Sequence, residues 1–278
     1  MGKSVLEERD ELQARFLCRV APLAGPDLAL KGGGALRFVY GSPRFSEDLD
    51  FDVGPGLPPD VLREKVRKIL ADLRAEYSEP KQTGTVQRWK LKGFLGLACK
   101  FEFSRRNAPV RVEVTPVDFG RWGNMGVVPV GHLGLADLLL EKIEAAMAPG
   151  RFAPRDAFDL FYLTGLVRAR GVKVSFPEGL TAEGVIDKLL QIPSRAVVLE
   201  LLPLLPRDMR ASFDFDRLLE AVWSGLADLG LAQRDGNNLG AALRRGAAVR
   251  REQGQGLSGP GEAAQARPCE PGGKGLVL

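Results

Sequence analysis

Acidic and apolar residues alternate along one short segment of the chain, Asp48-Leu49-Asp50-Phe51-Asp52-Val53. Successive side chains of a β-strand point to opposite faces of a sheet, so the segment predicts a strand with three carboxylates on one face. Its apolar face must pack on a core. Its acidic face must meet positive charge, because like charges held this close repel each other. A hard divalent cation is the natural partner for clustered carboxylate oxygens.

Two other interpretations of this acidic segment compete with a metal site. A solvent-exposed edge strand carries the same alternation. A calcium-binding EF-hand loop starting at Asp48 would need glycine at its sixth position and glutamate at its twelfth. Val53 and Pro59 stand at those positions, which excludes the EF-hand and leaves the edge strand open.

The composition excludes several classes of protein. The chain has 278 residues, 45% hydrophobic and 27% charged, as in soluble globular proteins. No apolar run approaches the ~20 residues of a membrane span, and residues 1–10 are too acidic for a secretory signal. Three scattered cysteines and a single histidine exclude a disulfide framework and sites built on several histidines. We therefore expect a cytoplasmic protein without a membrane partner, whose chemistry uses carboxylates, lysine, arginine and a metal ion.

Hydrophobic periodicity divides the chain into an α/β part, a helical part and a polar tail. The predicted helices are 3–21, 35–40, 58–77, 135–147, 155–170, 181–191, 195–205 and 216–229, and the predicted strands are 28–30, 48–53, 85–92, 97–103 and 110–117. We predict an α+β fold with a mixed sheet and flanking helices over 1–132, a helical domain over 133–232 and a mobile tail over 233–278. The last 48 residues hold seven basic and four acidic side chains, so most of the net charge of +4 lies there.

A run of three glycines, Gly32-Gly33-Gly34, separates an apolar strand pattern from a helical pattern. Glycine lets backbone N–H groups approach an anion where a helix begins. The run is not a Walker loop, because no GK[ST] follows. It is not a dinucleotide-binding fingerprint either, because Arg37 stands where glycine is required. Since the acidic strand begins 14 residues later, we interpret the run as a phosphate cradle beside a metal site.

Glu113 is a candidate third carboxylate for the same site. It alternates with valines on a predicted strand, and a place beside the acidic strand would make it a metal ligand together with Asp48 and Asp50. Two-metal phosphoryl transfer needs such a cluster of acids. A surface position for Glu113 is the alternative interpretation.

Lys142 and one of two aspartates are candidates from the helical part. Lys142 falls on the leucine-rich face of its predicted helix, where an ammonium group is unusual unless it is paired or reaches a phosphate. Asp159 lies on an otherwise apolar helix. We prefer it to Asp156, since the helix dipole alone favours an acid in a first helical turn.

A set of basic side chains shares one face of the predicted strand 85–92, namely Arg88, Lys90 and Lys92. These side chains could hold an RNA backbone. A solvated sheet face is the interpretation that we prefer from the sequence.

These motifs together resemble a known family. Gly32-Gly33, Ala35-Leu36-Arg37 and the segment from Arg44 to Phe51 resemble the first motif of the DNA polymerase β-like nucleotidyltransferases, and in particular of the AbiEii/AbiGii-type toxins. The segments 137–146 and 155–160 resemble the downstream helical motifs of these toxins. Two departures are Gly34, where threonine or serine is commoner, and Glu113, where aspartate is usual.

The resemblance implies an activity and a set of roles. The implied enzyme transfers a nucleoside monophosphate from an NTP to an RNA acceptor such as tRNA, with two Mg²⁺ ions, and has a cognate antitoxin. Asp48 and Asp50 would bind metal, with Glu113 as the third acid. The residues approaching the triphosphate would be Gly32, Gly33, Ser46 and Lys142, and Asp159 or Asp156 would complete the site. Two alternatives stay open: a small-molecule or protein hydroxyl as acceptor, and a non-catalytic member acting as a binding partner.

Overall fold

The computed structural model describes residues 3–78, 80–92, 99–123, 125–151 and 153–231. The predicted mobile tail over 233–278 therefore lies outside the described residues.

Eight strands within this part of the chain form one mixed sheet in the order β3-β5-β6-β2-β1-β8-β7, and β4 also pairs with β5. The strands are β1 (Leu28–Lys31), β2 (Asp48–Val53), β3 (Glu76–Tyr77), β4 (Lys81–Thr83), β5 (Val86–Lys92), β6 (Cys99–Arg105), β7 (Glu113–Asp118) and β8 (Val127–His132). β2 runs antiparallel to β1 and parallel to β6. The acidic strand thus lies inside the sheet, which overturns the edge-strand interpretation.

The helices flank this sheet and then continue alone after β8. They are α1 (Val5–Ala24), α2 (Gly32–Phe38), α3 (Pro59–Asp72), α4 (Leu135–Met147), α5 (Pro154–Ala169), α6 (Ala182–Leu189), α7 (Ser194–Ala196), α8 (Arg207–Ala211) and α9 (Phe215–Asp228). A π turn (Val197–Leu201) and a 3-10 turn (Leu202–Leu204) follow α7. The predicted α+β class is confirmed, with a mixed sheet first and helices after it.

The alternation along β2 decides which way the strand faces. Leu49, Phe51 and Val53 are buried in the core, where Phe51 lies against Phe16 of α1 and stacks on Phe103 of β6. The three aspartates consequently share the opposite face of the sheet. One cluster of buried apolar side chains continues from this core into α4, α5 and the later helices. None of the described helices is both long enough and apolar enough to span a bilayer.

Candidate functional site

Asp48 and Asp50 lie two residues apart on β2 and on one face of the sheet. Asp48 accepts a hydrogen bond from the backbone N–H of Lys100 on β6 (3.0 Å), and its other oxygen lies 3.2 Å from the Lys100 ammonium. Asp50 is half-buried, and burial together with the charges of Asp48 and Glu102 raises its pKa to about 6. Lys142 and Lys31 act in the opposite direction without restoring the ordinary value. The raised pKa of Asp50 therefore comes first from burial, with a smaller contribution from the two neighbouring carboxylates.

The third carboxylate near this pair is Glu102, and not Glu113. Glu102 lies on β6 directly opposite Asp50 of β2, and it accepts a hydrogen bond from Arg88 of β5 at 2.6 Å. Residues directly opposite each other on paired strands present their side chains on the same face. Glu102 was missed, although it stands in the same alternating pattern as the acidic strand, Cys99-Lys100-Phe101-Glu102-Phe103.

Glu113 begins β7, the last strand on the other side of the sheet, and is exposed there. β1 and β8 separate it from β2, which at ~4.8 Å per strand is a distance of about 14 Å. A Cβ atom at Gly134 would lie 2.3 Å from a Glu113 carboxylate oxygen, so this side chain points to the start of α4. The prediction that Glu113 lies beside Asp48 and Asp50 is wrong, because the order of strands in a sheet does not follow from strand patterns alone.

The glycine run forms the bend from β1 into α2. At each of the first two glycines, a side chain of the site lies close to the space that a Cβ atom would occupy. Gly32 has a φ of +60°, and a Cβ atom there would lie 3.2 Å from an Asp50 oxygen. A Cβ atom at Gly33 would lie 2.8 Å from Arg44 Nη2 and 2.9 Å from Ser46 Oγ. The bend thus lies directly against the acid pair and against the loop that precedes β2.

Gly34 faces the core instead of the site. A Cβ atom there would meet Leu49 Cδ2 at 2.9 Å and Leu30 Cδ1 at 3.3 Å. This packing gives a structural reason for glycine at a position where the family more often has threonine or serine.

Ser46 links the loop before β2 to the acidic strand. Its hydroxyl donates a hydrogen bond to the backbone carbonyl of Asp48 (2.8 Å), and the side chain is buried. The structure therefore brings Ser46, Gly33 and Asp48 together, as the motif resemblance implies.

Lys142 of α4 reaches both candidate aspartates of α5. Its Nζ lies 2.7 Å from Asp159 Oδ2 and 3.2 Å from Asp156 Oδ1. Both aspartates are almost fully buried, with 0% and 1% of their side chains exposed. Lys142 also lies close enough to Asp50 to lower the pKa of that carboxyl.

Each of these aspartates has an arginine as a second partner. Arg44 Nε and Nη2 donate to the two oxygens of Asp159, each at 2.9 Å, which is the bidentate geometry of a strong ion pair. Arg151 binds Asp156 at 2.6 and 3.2 Å. Burial acts to raise the pKa of Asp156, but the charges of Lys142 and Arg151 outweigh it and the pKa is lowered.

Asp52, the third acid of β2, belongs to a different cluster. It lies 2.8 Å from the Lys31 ammonium and 2.9 Å from an Arg106 nitrogen. Glu141 of α4 contacts the same two cations at 3.5 and 3.2 Å. We call these four residues the β2–α4 ionic cluster. It adjoins the site twice, because Lys31 precedes Gly32 and Glu141 precedes Lys142.

A family model decides what kind of protein carries this site. The model for the nucleotidyl transferase AbiEii toxin of type IV toxin–antitoxin systems matches residues 15–245, which is most of the chain. The chain belongs to the AbiEii family. The resemblance read from the motifs is confirmed, and the protein is a nucleotidyltransferase of a toxin family.

Two solved structures from Helicobacter pylori have a fold similar to that of this chain. One, provisionally named a nucleotidyltransferase, is 20% identical with a TM-score of 0.53, and the match covers 82% of this chain and 96% of that one. The other, JHP933, is 18% identical with a TM-score of 0.52, and the match covers 92% and 98%. At these identities the likeness shows the fold alone. No curated protein matches the sequence.

The acid pair fits a divalent metal ion, the kind of cofactor that nucleotidyltransferases generally use. Within the described ranges, no three His, Cys, Asp or Glu side chains are arranged to hold a metal ion by themselves. Mg²⁺ commonly takes only one or two carboxylates and completes its shell with waters and substrate phosphates. Asp48 and Asp50 supply hard oxygen donors, and the burial and like charges that raise the pKa of Asp50 are effects that a bound cation would offset.

Proposed function

We propose that this AbiEii-family protein transfers a nucleoside monophosphate from an NTP to an RNA acceptor of the tRNA type, in the cytoplasm and with Mg²⁺. We further propose that it is the toxin of a pair whose antitoxin counters this activity. One observation carries the proposal. The acid pair Asp48 and Asp50 lies against the glycine bend, where Cβ atoms at Gly32 and Gly33 would crowd Asp50 and Ser46, and Lys142 approaches the pair from α4.

Asp48 and Asp50 would hold the ion, and Glu102 takes the place that Glu113 had as third acid. When bound, Mg²⁺ neutralises phosphate charge and lowers the pKa of the attacking hydroxyl. A second ion would share Asp48 and Asp50 with the first and take its remaining ligands from water and substrate phosphates.

The residues around the acid pair bind and orient the nucleotide. The bend at Gly32 and Gly33 places half-buried backbone next to Asp50, and the Ser46 hydroxyl lies beside Gly33. Lys142 supplies a point charge for a phosphate. Asp159 and Asp156 hold that ammonium group in place, so they act as positioning residues.

The proposal is tested by incubating the protein with labelled NTPs, Mg²⁺ and total cellular RNA. We expect label on an RNA band, and we expect Asp48→Asn and Lys142→Met each to reduce it by a factor of about 10²–10³. The first change removes a metal ligand, and the second removes a cation that stabilises developing negative charge on phosphate. Asp187→Asn, an exposed acid on α6, is the matched control and should keep full activity. Label on a protein or a small metabolite instead of RNA would show the acceptor to be wrong, and full transfer by both site variants would overturn the site.

A further inference from the structure

Two pairs of like-charged side chains lie next to each other on the sheet face that carries the acid pair. Lys81 of β4 stands directly opposite Arg88 of β5, and Lys90 of β5 stands directly opposite Lys100 of β6. Like charges directly opposite on paired strands destabilise a sheet, because their side chains leave on the same face about 5 Å apart. Two such pairs in adjacent positions concentrate positive charge on one part of the sheet face, which favours a polyanionic ligand.

These cations continue two rows that start at the acid pair. One row runs from Asp50 through Glu102 and Arg88 to Lys81, and the other runs from Asp48 through Lys100 to Lys90. Each row therefore changes from acidic to basic over three or four strands. At ~4.8 Å per strand, Lys81 lies about 14 Å from Asp50, a distance that spans several phosphates of a nucleic-acid strand.

The outer cations of the two rows are open to a ligand. Lys100 is paired with Asp48 and Arg88 is paired with Glu102, but Lys81 and Lys90 make no ion pair with any residue that the structure describes. Both of these lysines are exposed, and 40% of the Arg88 side chain is exposed as well. We call Lys81, Arg88, Lys90 and Lys100 the basic face.

The basic face lies on the opposite side of the acid pair from the glycine bend. β1, which leads into Gly32 and Gly33, pairs with one edge of β2, and β6 pairs with the other edge. A triphosphate bound at the bend leaves the β4–β6 side free. A second anionic substrate on that side would then lie across Asp48 and Asp50 from the triphosphate.

We propose that the basic face binds the backbone phosphates of the RNA strand whose end accepts the nucleotide. This inference rests on the proposed function and adds to it the place where the acceptor lies. A repeated anion fits this face because two of its four cations, Lys81 and Lys90, have no ion-pair partner among the described residues.

The test uses the full chain with Lys81→Gln and Lys90→Gln combined, and a control with Lys173→Gln and Arg195→Gln, two exposed cations of the helical part. Binding of a fluorescent single-stranded RNA is measured at several salt concentrations without NTP. We expect the first variant to bind RNA about 10-fold more weakly. The slope of log affinity against log salt concentration should be shallower by the amount that about one to two phosphate contacts contribute. The control should bind like the wild type, and the KM for NTP should be unchanged in both variants.

A thermal melt shows whether the Lys81→Gln and Lys90→Gln variant is folded. Removing one member of each like-charged pair should leave the melting temperature of the first variant equal to the wild type or higher. Equal RNA affinity in the two variants would overturn the inference, as would a raised KM for NTP with unchanged RNA affinity. If either of these results is obtained and the wild type labels RNA, the proposed function stands and only the role of the basic face is wrong. If the wild type labels only protein or metabolites, the proposed function itself fails.

Discussion

At the scale of single residues, two glutamates compete for the place of third carboxylate, and substitution separates them. Glu102 lies directly opposite Asp50, whereas two strands separate Glu113 from the strand that carries Asp50. We expect Glu102→Gln to reduce nucleotide transfer at least 10-fold and to raise the Mg²⁺ concentration required, because a charge near the acid pair is lost. Glu113→Gln should transfer normally. A Mg²⁺ titration of transfer by both variants checks this, and the reverse order of effects would restore the prediction made from the sequence.

Asp50 also links the site to the stability of the protein. Its folded pKa of about 6 lies above the ordinary value of 3.8, so between these pH values the native state binds more protons than the unfolded state. Stability therefore falls as pH rises through this window and stays reduced at neutral pH. We expect Asp50→Asn, which cannot ionise, to stabilise the metal-free protein at pH 7.5 by about 2 kcal/mol, allowing for partial exposure. Thermal melts in EDTA at pH 7.5 and at pH 3.5, where the gain should vanish, measure it.

Asp52→Asn is the matched control for Asp50→Asn, because it changes an acid on the same face of the same strand. Asp52 has two cationic partners, Lys31 and Arg106. Removing the Asp52 charge leaves less negative charge nearby to compensate these two cations. Its replacement should lower the melting temperature at pH 7.5. A gain for both variants would show that the environment of Asp50 is not special.

At the scale of elements, the segment 41–47 is the connection that joins β2 to the helices. Arg44 binds Asp159 of α5, and the N–H of Phe45 donates to the carbonyl of Leu204 at 2.8 Å. Since the Arg44–Asp159 pair is almost fully buried, removing Arg44 leaves Lys142 as the remaining cationic partner of Asp159 within the described residues. Because Lys142 still compensates part of the charge, we expect Arg44→Ala to destabilise the protein by about 2–3 kcal/mol, measured as a lower urea midpoint.

The partner of this experiment is Asp159→Asn, alone and combined with Arg44→Ala. The double variant should lose much less than the sum of the two single losses, because each single change already breaks the same pair. Additive losses would contradict a direct interaction.

Local patterns were sufficient for the elements whose side chains alternate or repeat cleanly. β2 and α4 begin and end where their patterns predicted, at 48–53 and 135–147. α3 ends at Asp72, before the predicted residue 77, because Arg74 adopts a left-handed φ of 52° and the chain turns into β3. The predicted helix over 195–205 is instead three short pieces of different winding.

Contacts between distant segments were the part that local patterns could not supply. The acid pair, the glycine bend and Lys142 follow from motifs, whereas Glu102 follows from the pairing of β6 with β2. The β2–α4 ionic cluster and the two arginine partners of α5 depend in the same way on which segments pack together. The period of the hydrophobic residues determines which face of a helix or strand is buried. It does not determine which other segment packs or pairs with that element.

At the scale of the molecule, the site depends on the sheet and the helices keeping one arrangement. Asp48 and Asp50 come from the sheet, and Lys142 comes from α4. The β2–α4 ionic cluster and the Arg44–Asp159 pair both cross from one part to the other. The predicted division at residue 132 stays a prediction of domain organisation, and its energetic meaning can be measured.

We expect the sheet and the helices to unfold together, because one buried apolar cluster runs through both and charged pairs cross between them. The tryptophans report on each part separately. Trp89 and Trp122 lie in the sheet part, and Trp223 lies on α9. Trp223→Phe leaves fluorescence from the sheet part alone, and Trp89→Phe with Trp122→Phe leaves it from the helices. For each variant, the urea midpoint by fluorescence should equal the midpoint by far-ultraviolet circular dichroism. Midpoints that differ within one variant would show two independently folding domains, and the contacts across residue 132 would then be too weak to hold Lys142 against the acid pair.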